Sequence, residues 1–70
     1  MTVTELSNIA RAGGAVSVDG AIYGATELTT IARAGQGAGG GVIVRNASRL
    51  TAVEAVAIAK AGPGHVTLEY

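Results

Sequence analysis

The sequence predicts a small α/β repeat domain: three helix–strand units whose short strands form a parallel sheet, with the helices packed on one face in a solenoid-like stack. Two observations carry this. TELSNIARAGG at residues 4–14 and TELTTIARAGQ at 26–36 share Thr-Glu-Leu and Ile-Ala-Arg-Ala-Gly at one internal spacing, and AVAIAKAGPG at 55–64 repeats the second half with Lys for Arg. Each copy then runs into a short β-branched or alternating segment: AVSVDG at 15–20, GVIVRN at 41–46 and HVTLEY at 65–70. Self-similarity of this kind marks a repeat architecture. The chain divides into units of about 4–20, 26–46 and 51–70 within a single domain, 1–70.

In the first unit, Thr4 is placed to cap the helix start by accepting from a free backbone amide. Glu5 in the first turn and Arg11 in the last match the two ends of the helix dipole. Leu6, Ile9 and Ala10 have the i, i+3, i+4 spacing of one apolar face. Gly13 follows, where a left-handed C-terminal cap costs glycine least. The strand after it puts Val16 and Val18 on one face by the period of two.

The second unit repeats these choices with Thr26, Glu27, Leu28, Ile31, Ala32, Arg33 and Gly35, then Val42 and Val44 in the strand. In the third, Thr51-Ala52-Val53-Glu54 has capping-box spacing, Lys60 closes the helix, Gly62 and Pro63 stop it, and Val66 and Leu68 share a strand face. Strands alternating with helices of roughly ten residues indicate parallel pairing through right-handed crossovers. The opposite strand face carries Ser17 and Asp19, Ile43 and Arg45, Thr67 and Glu69. A sheet covered on both faces is apolar throughout, so this mostly polar face suits helices on one side only. With the strands in chain order, Asp19, Arg45 and Glu69 form a row with the cation between two carboxylates, worth about 0.2–1 kcal/mol per pair. Outward strand positions also tend to be charged for solubility alone, and the sequence leaves both readings open.

Repeats of about 22–27 residues that pair a short strand with a helix resemble the leucine-rich repeat class of β/α solenoids. The resemblance spans nearly the whole chain and implies the architecture only. That family's strand pattern sets an asparagine where Ala47 stands here, with Asn46 one residue early.

A chain of 70 residues buries only about 60% of the surface it exposes unfolded. Domains of this size rely on disulfides, a metal, oligomerisation or very regular packing. There is no cysteine and a single histidine, so oligomerisation or regular packing is expected to carry the fold. Five basic and five acidic residues cancel without any run of like charge, and only Tyr23 and Tyr70 could stack on bases, so no nucleic-acid footprint is visible. A net charge near zero favours association. The start MTVTELSNIA lacks a secretion signal and no apolar run reaches membrane-spanning length, so a cytoplasmic protein without a membrane partner is expected. The sequon Asn46-Ala47-Ser48 is then expected to go unused.

The stretch from Gly35 to Gly41, with Gly37, Gly39 and Gly40 between, fits GxGxxG over residues 35–40. In a dinucleotide fold that motif follows a strand and opens a helix, so that the pyrophosphate meets helix amides. Here it follows a helix and enters a strand, where the free groups are carbonyls that repel phosphate. From helix isoleucine to strand valine the three connections span seven residues (Ile9 to Val16), eleven (Ile31 to Val42) and eight (Ile58 to Val66). The loop is therefore expected to be a lengthened connector that tolerates shortening. His65 has no cysteine or second histidine near it in sequence, and Ser7, Ser17 and Ser48 lack the G-x-S-x-G elbow. No catalytic residue, metal ligand or cofactor site is expected.

Helix three departs from its siblings: aligned on Ile58, Val56 and Ala57 stand where Ser7 and Asn8, then Thr29 and Thr30, stand before. Either this helix lies deeper in the monomer or its apolar side meets another subunit. The expected function is self-association, or contact with another protein, through Val53 and Val56 of the third helix and Val66, Thr67, Leu68 and Tyr70 of the last strand. Thr67 is expected to offer a backbone donor at that strand's edge, with a closed antiparallel dimer favoured over a filament. The alternative is a module that binds a small ligand or anion at the glycine-rich loop 35–41.

Overall fold

In the computed structural model, which describes residues 1–70, the chain runs α1 (Val3–Arg11), β1 (Val16–Asp19), α2 (Ala25–Ala34), β2 (Val42–Arg45), a 3-10 turn at Ala47–Arg49, α3 (Ala52–Ala61) and β3 (Val66–Leu68). The strands lie in chain order β1-β2-β3 and all pairs are parallel. Their register aligns Val16 with Val42 and Val66, and Val18 with Val44 and Leu68. These side chains form the face that packs against the helices, while Ser17, Arg45 and Thr67 are exposed on the other. The fold is the expected one: helices on one face, each coil stacked on the last.

The middle coil supplies the centre of the core. Leu28, Ile31, Val42 and Val44 are fully buried, and burying such side chains contributes about 1.5–3 kcal/mol each. Val66 and Leu68 at one end are only half-buried. The β1 end is better covered, with Val16 8% and Val18 2% exposed and Val3 and Tyr23 packed against the core.

The helix starts correct two expectations. Thr2, not Thr4, caps α1: its hydroxyl accepts from Glu5 N at 3.1 Å, and the Glu5 carboxylate accepts from Thr2 N at 2.9 Å. Thr51 and Glu54 make the same box at 3.2 and 2.9 Å. In α2 the cap position is Gly24, so only the return bond survives, from Gly24 N to Glu27 at 2.9 Å. Thr4 and Thr26 are second residues of their helices. A hydroxyl next to its glutamate is too close to close the box, which needs the three-residue spacing of Thr2 and Glu5.

The glycines after the helices divide into two kinds. Gly13 takes the left-handed conformation at φ +97°, as expected, whereas Gly35 and Gly62 do not. Gly35 and Gly62 serve close approach instead. A Cβ at Gly35 would lie 3.3 Å from the Ala10 Cβ, and one at Gly62 would lie 3.0 Å from the Ala32 carbonyl oxygen.

The glycine-rich loop is likewise more than slack. A Cβ on Gly40 would overlap the Gly13 carbonyl oxygen at 2.6 Å, and one on Gly13 would overlap the Ala38 carbonyl oxygen at 2.8 Å. The loop packs backbone to backbone on the connection of the preceding coil. Ala38 and Gly40 fill the contact between two coils, so a shortening that removes Ala38 is expected to cost stability where a plain connector would tolerate it.

One polar atom inside the stack is left without a partner. Ser7 is 5% exposed and its Oγ makes no hydrogen bond, while Thr29 at the same repeat position bonds back to Ala25 O at 2.8 Å. Ser7→Ala is expected to raise stability by about 1 kcal/mol, read as a higher urea midpoint at unchanged slope. A fall in the midpoint would show that the hydroxyl is satisfied in solution.

Candidate functional site

Three helices of identical register allow each repeat position to be followed through the stack. Ile9 is 36% exposed, whereas Ile31 and Ile58 are fully buried. This row faces the preceding coil, and only α1 has none. Ala10 and Ala32 are buried, whereas Ala59 at the same position is exposed. That row faces the following coil, and only α3 has none. Ser7, Thr29 and Val56 grade the same way, from buried through half-buried to 52% exposed.

Val56 therefore does not lie deeper in the monomer. It stands with Ala59 on the open side of α3. Beside them runs β3, whose backbone is bonded on one edge only. Val42 N donates to His65 O at 2.8 Å and Glu69 N donates to Val44 O at 2.9 Å. In a parallel ladder alternate residues face the same neighbour, so Thr67 also turns its amide toward β2, while Val66 and Leu68 turn theirs outward. Thr67 is thus corrected as an edge donor. Its side chain is exposed on the polar sheet face, and the free donors belong to its two neighbours.

The remaining sequence candidates scatter. Val53 is 79% exposed but lines a groove of about 370 Å³ between α2 and α3, with Thr29, Arg33 and Ala57. It faces α2 and so stands apart from the open end. Tyr70 follows β3 and is exposed. Among the loop residues, Gly35 and Gly40 are used in packing, while Gly37 and Gly39 have open space around them. His65 sits half-buried with Nε2 3.2 Å from Ala32 O, against Gly62, where it closes the gap between the ends of α2 and α3. No group of three or more His, Cys, Asp or Glu side chains is placed to hold a metal ion. No helix is long and apolar enough to cross a membrane.

The sequence does not single out Ala59, and it places Ile9 on the apolar face with Leu6 and Ala10, whereas Ile9 is 36% exposed because no coil precedes it in the stack. The signal was present in the alignment of Ala10, Ala32 and Ala59, but alanine is neutral until its neighbours are known.

The strands lie in chain order, the condition for a charged row of Asp19, Arg45 and Glu69, and Asp19 stands opposite Arg45. Its hydrogen bonding goes elsewhere. Asp19 Oδ1 accepts from Asn46 Nδ2 and from Ala21 N, each at 2.8 Å. The bond from Asn46, then that from Ala21, hold its carboxyl below the usual range, with Arg45 and Arg49 adding a smaller attraction. Asn46 takes the left-handed conformation at φ 56° and reaches back across the sheet to the preceding strand.

Comparison with family models, with curated proteins and with solved structures gives no match.

Proposed function

We propose that the protein is a non-catalytic self-associating module and that copies meet at the open α3–β3 end. The observation that carries this is the fate of one repeat row: Ala10 and Ala32 are covered by the next coil, while Ala59 and Val56 present the same kind of surface to solvent. Half-buried Val66 and Leu68 and their outward amides continue that surface across the sheet. An apolar strand edge with unpaired backbone groups favours pairing with another chain. Low net charge adds little repulsion against it.

Val56→Glu tests the proposal. Its side chain points away from the core, so the circular dichroism of the monomer is expected to be unchanged and its unfolding free energy to stay within about 0.5 kcal/mol of the parent. Sedimentation over a dilution series is expected to show smaller species than the parent at each concentration. Unchanged mass for the variant, or a parent that is monomeric throughout, would contradict the proposal.

A further inference from the structure

We infer that copies assemble head to tail, the α3–β3 end of one stacking on the α1–β1 end of the next as a further coil would. The inference rests on the self-association reading and adds its geometry. The two open ends are the two halves of a junction that the molecule already makes twice. At each internal junction a row of alanines facing forward, Ala10 then Ala32, meets a row facing back that includes Ile31 then Ile58. What remains over is Ala59 facing forward and Ile9 facing back.

The backbone fits in the same sense. The outward groups of β3 belong to Val66 and Leu68, and at the opposite edge of the sheet Ser17 turns its amide and carbonyl away from β2. Continuing the register of Val16 with Val42 and Val66 sets Ser17 of the second copy between Val66 and Leu68. Its N–H then donates to the Val66 carbonyl and its C=O accepts from Leu68. Beside β1 lies a cleft of about 240 Å³ lined by Ser17, Val18 and Asp19 together with Leu6 of α1 and the exposed Met1 and Ile22.

A two-fold pairing of β3 with itself would run antiparallel and set the Ala59 row against its own copy, an arrangement no internal junction uses. Head-to-tail contact is heterologous and grows open chains unless its rotation closes a ring. The register also has a cost. Glu69 comes to lie beside Asp19 of the next copy, so added salt is expected to raise the assembled fraction by screening two like charges.

The test uses two exposed alanines, Ala59 on the forward face and Ala12 on the backward face. Ala34 and Ala61, at the repeat position of Ala12, are progressively covered by the coil before them. Ala59→Arg and Ala12→Arg each block one end and leave the monomer core untouched, which circular dichroism verifies. Each variant alone is expected to sediment as a monomer of about 6.9 kDa, and their equimolar mixture as a species of twice that mass and no larger. The parent is expected to form larger species than that dimer. An Ala12→Arg variant that still dimerises alone would overturn head-to-tail stacking while leaving self-association intact. A mixture that stays monomeric would also overturn the stacking, and a parent that is monomeric throughout would overturn both.

Discussion

A Gly40→Ala variant will unfold at markedly lower urea than the parent, with a loss of about 3 kcal/mol. The added methyl would overlap the carbonyl oxygens of Gly13 and Gly14, and backbone cannot rotate aside as a side chain can. A domain of this length holds roughly 4–10 kcal/mol in all, so the loss is a large share of it. At Gly37 and Gly39 an added methyl meets nothing within 4 Å, and only the left-handed backbone opposes it, at about 1–2 kcal/mol. Urea midpoints taken where the protein is monomeric will therefore fall furthest for Gly40. Equal small losses at the three positions would mean that the loop is the plain connector its composition suggests.

That contrast marks the boundary of what the residues alone reveal. Strand faces are legible because Val16 and Val18 flank Ser17, Val66 and Leu68 flank Thr67, and Val42 and Val44 take the same positions around Ile43, with a period of two. Strand order was not legible, because units of similar length fit more than one order, and the structure sets it as β1-β2-β3. The caps were misplaced because Thr4-Glu5 and Thr26-Glu27 repeat while the true cap, Thr2, is replaced by Gly24 in the second coil. The packing of Gly40 on Gly13 was hidden because it depends on which coil lies beside which. For the candidate site, Val56 was visible as an apolar departure from Ser7 and Thr29, but whether it pointed inward or outward needed the stack. The place of Thr67 in the strand suggests an edge donor, and only the alternation of bonds to β2 shows that Val66 and Leu68 hold the free donors.

The second large effect contrasts one repeat position at two levels of the stack. Ile31→Ala, in the fully buried middle coil, is expected to cost about 4 kcal/mol through lost transfer energy and a cavity between coils on both sides. Ile9→Ala, at the partly open end, is expected to cost about 1 kcal/mol in the monomer, because its surface is already wet. Urea unfolding of both variants under dilute conditions gives the comparison. Similar costs would mean that the ends are as closely packed as the middle, and that the open rows do not exist in solution.

The claim that copies meet at β3 is tested most directly by residue-resolved amide hydrogen exchange at two protein concentrations. The Thr67 amide is bonded to β2 and is expected to exchange slowly at both. Those of Val66 and Leu68 point away from the sheet in the monomer, and are expected to exchange fast when dilute and to become protected at the concentration where sedimentation shows assembly. Fast exchange of Val66 and Leu68 in the assembled protein would place the contact elsewhere and contradict the account.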